Sequence, residues 1–142
     1  MIQFTSHSTA QTEAFAARIA QKLRAGDVIA CRGGMGAGKT AFARGLARGL
    51  GLADDVSSPT FALVHEYTRG ELALYHFDMY RVSDFDELYS TGFFDYLGQE
   101  GILFIEWSEN IASALPEHTI LLTISPTGEN TRDIRIEGDE RF

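Results

Sequence analysis

A chain of 142 residues lies within the roughly 100 to 200 residues typical of one domain, so a single domain spanning 1–142 is expected, with one core. Apolar residues at 44% and charged residues at 23% match a globular composition, and no apolar run approaches the ~20 residues of a membrane span. A formal net charge of −8 opposes a polyphosphate backbone, so no direct sequence-specific nucleic-acid binding is expected, and a role near RNA would run through a partner protein.

The opening Met-Ile-Gln-Phe-Thr-Ser-His offers neither the basic segment nor the apolar run of a secretion signal, which makes the cytoplasm the expected location. The one cysteine, Cys31, has no partner for an internal disulfide. His7, His65, His76 and His118 stand at no metal-ligand spacing, so no structural zinc is expected.

Along the chain, Ser8 followed by Gln11 reads as a capping box, and Phe15, Ile19 and Leu23 share a helical face until Gly26 offers a stop. Val28 to Cys31 is the short apolar run of a buried strand. A second helix is predicted from Lys39 to Leu50, ended by Gly51 in a left-handed turn; its Gly45 and Gly49 suggest close packing against a sheet. Phe61 to Tyr67 and Glu71 to Phe77 read as strands of an antiparallel hairpin joined through Arg69 and Gly70. Short helical turns follow at Asp84 to Tyr89 and Phe93 to Leu97, then a buried strand at Ile102 to Ile105, and two further strands at Thr119 to Ser125 and Asp133 to Glu137. A strand, a glycine turn and a helix, with a second apolar strand delivering an acid to the same edge, predict a mixed α/β fold.

The chemistry is concentrated between the first predicted strand and the second helix. Gly33-Gly34-Met35-Gly36-Ala37-Gly38-Lys39-Thr40 matches Gly-x-x-x-x-Gly-Lys-Ser/Thr in its required strand-to-helix context. Glycines let successive backbone N–H groups face one concavity, and the helix adds its positive N-terminal dipole, so phosphate oxygens are the natural occupant. Lys39 can reach between the β- and γ-phosphates, and the Thr40 hydroxyl can ligate Mg²⁺. A glycine turn that only packed a helix on a sheet would need neither Lys nor Thr. The contact set expected for the nucleotide in this segment is Gly34, Met35, Gly36, Ala37, Gly38, Lys39, Thr40 and Ala41.

A Mg²⁺-nucleotide site also needs a carboxylate at a strand end beside that loop, and Glu106 after Ile102-Leu103-Phe104-Ile105 fits; a surface acid at the point where a strand leaves the core has the same spacing. Trp107 beside it reads as packing. His76-Phe77-Asp78-Met79-Tyr80-Arg81 gathers a base, an acid and a cation, and Asp78 could position water or hold Mg²⁺ through water, although His and Tyr alternating with Phe77 equally suit a sheet face. Ser57-Ser58-Pro59-Thr60 follows the second helix where nucleotide-responsive segments lie, with Thr60 placed to sense phosphate or metal; the same residues also make an ordinary turn. Asp95-Tyr96-Leu97-Gly98 spells the Asp-x-x-Gly of GTPases, but no Asn-Lys-x-Asp is present to read guanine, so ATP is expected over GTP.

Taken in order, the glycine-rich loop, Ser58-Pro59-Thr60-Phe61, His76-Phe77-Asp78-Met79-Tyr80-Arg81 and Ile105-Glu106-Trp107 closely resemble the TsaE (YjeE) family over nearly the whole chain. The resemblance implies a P-loop NTPase-like three-layer α/β/α fold with a mixed central sheet. It also implies an ATPase, weak alone, that serves N6-threonylcarbamoyladenosine formation at position 37 of bacterial tRNA and acts with the TsaB–TsaD dimer to support repeated turnover. Carried over, Lys39 would bind phosphates, Thr40 and Glu106 would coordinate Mg²⁺, Asp78 would assist hydrolysis and Thr60 would belong to a switch-like segment. Thr12 and Arg132 would approach the nucleotide. Two other readings share the loop: a small-molecule kinase, for which no arginine-rich lid segment is evident, and an assembly module that senses nucleotide with little hydrolysis.

Overall fold

The structure is a computed structural model that describes residues 1–34, 36–56 and 63–142. Its first element, strand β1 (Ile2–Ser6), has no counterpart among the expected elements, because five residues with two apolar positions are too short for alternation to stand out. Helix α1 (Thr9–Ala20) starts where the capping box predicts: Ser8 Oγ accepts the Gln11 N–H at 3.1 Å, while the Gln11 side chain reaches back to the His7 N–H at 2.8 Å. It stops short of Leu23 because Lys22 and Leu23 donate to Ile19 and Ala20, three residues back, which tightens the last turn.

Strand β2 (Val28–Arg32) leads to helix α2 (Lys39–Gly49), after which Gly51 takes the left-handed conformation, φ +74. The hairpin is present as β3 (Val64–Tyr67) paired antiparallel with β4 (Leu74–Asp78), the latter starting three residues later than Glu71. Phe61 and Ala62, the predicted start of β3, lie outside the described residues. Helices α3 (Phe85–Ser90) and α4 (Phe93–Leu97), strand β5 (Ile102–Glu106), a 3-10 segment at Ser108–Ala114, and strands β6 (Ile120–Pro126) and β7 (Arg132–Glu137) follow among the described residues. Asp95 and its Asp-x-x-Gly companions fall on α4, which removes them from any phosphate loop.

Among the described residues the strands form one seven-stranded sheet in the order β1-β7-β6-β2-β5-β4-β3. Strands β6, β2, β5 and β4 run parallel, whereas β3, β7 and β1 are added antiparallel to their neighbours. Central β5 is buried along its whole length, as a strand flanked on both sides and covered on both faces must be. Alternation along the strands divides the core. Ile29, Phe104, Leu122 and Ile134 meet α1 and α2 on one face. Val28, Phe77, Leu103 and Ile105 meet residues of α3, α4 and the 3-10 segment on the other, and this gives the three layers.

Gly45 and Gly49 correct the expected packing partner. A Cβ on Gly45 would overlap the Glu13 carbonyl and stand 2.7 Å from Ala16 Cβ, and one on Gly49 would stand 2.7 Å from Ala20 Cβ. The two glycines therefore admit α1, not the sheet, against the backbone of α2. Among the described residues, no helix is long and apolar enough to cross a membrane.

Candidate functional site

Because β2, β5, β4 and β6 are parallel, their C-terminal ends share one edge of the sheet. That edge receives the glycine-rich loop after Arg32, Glu106 at the end of β5 and Asp78 at the end of β4; Asp78 and Glu106 are direct register partners. Antiparallel pairing brings two further segments to the same edge. Arg132, the first residue of β7, lies opposite Pro126 on one side and Ser6 on the other, and α1 begins just beyond Ser6.

The loop is built as its glycines require. Gly36 (φ +74) and Gly38 (φ +100) occupy the left-handed region that disfavours other residues, and Gly38 is the N-cap of α2. At Gly33 the constraint is space: a Cβ would stand 2.7 Å from the Ile124 carbonyl oxygen on β6. Arg132 fastens the loop from outside, its Nε donating to the Ala37 carbonyl at 3.1 Å and its Nη2 to the Gly36 carbonyl at 3.0 Å. These bonds satisfy two loop carbonyl oxygens and tie β7 to the segment ahead of α2.

Lys39 opens α2 and is buried, at 6% exposure. Its Nζ stands 4.0 Å from Glu106 Oε1 and 4.1 Å from the centre of the Trp107 ring, yet it has no hydrogen-bond partner among the described residues. An ammonium with three donors held in this way is poised for an acceptor. Trp107 reaches it because its backbone turns left-handed, φ 57, directly after β5; its ring also packs on Tyr80 at 4.9 Å. Trp107 is therefore part of the site and not only packing. The sequence signal was its place next to a strand-ending acid.

Glu106, only 4% exposed, takes a hydrogen bond on Oε2 from Nε2 of His76, which is wholly buried. The histidine thus lies inside the sheet, as one of its two readings had it, with its ring against the Glu106 carboxylate. Asp78 is half-buried and its Oδ1 accepts the Tyr80 N–H at 2.9 Å, which fixes the turn that leaves β4. Thr40 is half-buried and Ala41 buried in the first turn of α2. Cys31, whose register partner is Glu106, lies wholly beneath the surface, and burial first, then the charge of Glu106, pushes its thiol well above the usual range. It is packing, not a nucleophile.

Of the expected nucleotide contacts, Gly34 precedes and Gly36, Ala37, Gly38, Lys39, Thr40 and Ala41 lead into α2, with Arg132 bound to the carbonyls of Gly36 and Ala37. Thr12 is at the same edge but is 2% exposed, with its hydroxyl 2.7 Å from that of Ser6, so it joins α1 to β1. Met35 and Thr60, with the rest of Ser57-Ser58-Pro59-Thr60, lie outside the described residues.

Comparison with known proteins gives a consistent set of similarities. A family model described as threonylcarbamoyl adenosine biosynthesis protein TsaE matches residues 6–134. The tRNA threonylcarbamoyladenosine biosynthesis protein TsaE of Treponema pallidum is 35% identical over 131 residues, covering 92% of this chain and 96% of its own. Its counterpart in Aquifex aeolicus is 43% identical over 131 residues, covering 91% of this chain and 90% of its own. The crystal structure of Bacillus subtilis YdiB matches with a TM-score of 0.80 at 32% identity, over 96% of this chain and 84% of that one.

Proposed function

The chain belongs to the TsaE family of threonylcarbamoyladenosine biosynthesis proteins, and from that premise we propose that it is the Mg²⁺-dependent ATPase subunit of tRNA modification at position 37. In this reading it is slow alone, and it acts with the TsaB–TsaD dimer to sustain turnover. The observation that carries the ATP-binding part is Lys39: a buried ammonium without a hydrogen-bond partner among the described residues, at the head of α2 behind a glycine loop.

The residues present fit a Mg²⁺-triphosphate. The loop N–H groups and Lys39 offer donors to phosphate oxygens, while the Thr40 hydroxyl and the Glu106 carboxylate are the hard oxygen ligands Mg²⁺ selects. Bound Mg²⁺ supplies a positive centre that offsets charge on the phosphate oxygens. Lys39 would exchange its place over Trp107 for the phosphates, and Asp78 would orient water through its second carboxylate oxygen. Thr60 enters the proposal through its sequence position after the second helix and through the family resemblance. Because such catalysis is mostly positioning and charge stabilisation, a docked partner can complete it, which accounts for low activity alone.

The test is calorimetric uptake of ATP with Mg²⁺, followed by phosphate release with and without TsaB–TsaD. Uptake with release stimulated by the dimer is expected; no uptake by folded protein would end the proposal. A second measurement uses Trp107, the only tryptophan. With Lys39 Nζ 4.1 Å from its ring, nucleotide that draws the ammonium away should change the indole emission, and Lys39→Met should remove that response. Unchanged emission at saturating nucleotide would show that Lys39 stays on the ring.

A further inference from the structure

We infer that His76 is a positioning residue that fixes which oxygen of Glu106 is offered to the metal ion. The inference rests on the Mg²⁺-nucleotide reading above and adds a role for a residue that touches neither group. His76 and Asp78 share one face of β4, and since Asp78 is the register partner of Glu106, His76 is its diagonal neighbour across the β4–β5 pair. The imidazole is held edge-on to Phe104 at 5.3 Å and lies 6.2 Å from Tyr67, so packing sets the ring direction.

A carboxylate only accepts, so Nε2–H donates to Oε2. This is the one hydrogen bond of the ring among the described residues, where Nδ1 has no partner. The consequence for Glu106 is directional. Oε2 is committed inward to the sheet, and Oε1 is left facing Lys39 at 4.0 Å, on the side where phosphates and cation would lie. A purely structural position between Leu74 and Phe77 would be filled at lower cost by an apolar side chain, since burying an imidazole and a carboxylate removes both from water. Hydrogen-bond partners of metal ligands orient them, and their loss typically weakens metal binding about 10- to 100-fold.

The experiment is ADP binding by calorimetry across a MgCl₂ series and in EDTA, for wild type, His76→Leu and His76→Gln, each also combined with Glu106→Gln. Leucine removes the donor at similar volume, whereas the glutamine amide keeps a donor near the position of Nε2. His76→Leu is expected to raise the Mg²⁺ concentration for half-maximal effect about 10-fold or more, with affinity in EDTA unchanged, and His76→Gln to restore most of the loss. In the Glu106→Gln background His76→Leu should add no further shift, because the carboxylate it orients is gone. Should His76→Leu not fold, His76→Asn, whose amide stops short of Glu106, takes its place. A His76→Leu protein with wild-type Mg²⁺ dependence, or an equal shift in the Glu106→Gln background, overturns the inference while leaving the functional reading intact. Wild type that takes up no nucleotide at any Mg²⁺ concentration overturns both.

Discussion

Lys39→Ala is expected to reduce phosphate release by about 10²- to 10³-fold, the cost typical of losing one preorganised donor to developing charge. Its effect on stability should be far smaller, and the reason lies in opposed terms. At 4.0 Å the attraction between Lys39 and Glu106 is about 4 kcal/mol at an effective dielectric of ~20. Against it stands the desolvation of an ammonium with no hydrogen-bond partner among the described residues, which costs several kcal/mol. The sum is near zero, so thermal unfolding of the apo protein should stay within a few degrees of wild type. Loss of turnover with a retained melting curve is the expected pair of results. A variant that hydrolyses ATP at the wild-type rate would contradict the role of Lys39, and one that is grossly unfolded would contradict the balance of terms.

Gly45→Ala should be the most destabilising single methyl addition in the helical layer. On an exposed helix the change would gain about 1 kcal/mol. Here the new Cβ meets the Glu13 carbonyl and Ala16 Cβ, and a backbone oxygen cannot swing aside as a long side chain would. Forcing α1 from α2 should cost about 1 to 3 kcal/mol net and lower the melting temperature by several degrees, with Gly45→Val worse. The control is Gly98→Ala: φ there is −85 and the nearest atom to a new Cβ is 3.7 Å away, so stability should move by less than about 0.5 kcal/mol. Equal melting temperatures for Gly45→Ala and Gly98→Ala would show that the helix crossing tolerates the added carbon. Since α2 begins at Lys39, a displaced α2 should also weaken nucleotide binding, a link that calorimetry on Gly45→Ala would report.

Much of the fold was legible because its signals are local. Ser8 with Gln11, the apolar run Val28 to Cys31, the glycines before Lys39 and the turn at Arg69 and Gly70 each act within a few residues, and each element formed within a few residues of where those signals put it. Strand β1 was not legible, because Ile2 and Phe4 are held through pairing with Ile136 and Ile134 on β7, more than 120 residues away in sequence. Gly45 and Gly49 announced a close approach without naming its partner, since helix periodicity says which face is narrow and not what lies against it.

The sequence by itself determined which segment is proposed to bind phosphate: Gly33 to Thr40 carries the spacing Gly-x-x-x-x-Gly-Lys-Ser/Thr, in which backbone N–H groups and the next two side chains are placed by one turn of chain. Only the tertiary structure decided the rest of the site. That His76 faces Glu106, that Trp107 lies over Lys39 and that Arg132 grips the carbonyls of Gly36 and Ala37 are consequences of strand order and register. The physical reason is distance along the chain: these contacts join residues 30 to 96 positions apart, and no local propensity fixes which of many possible sheet neighbours a strand will meet.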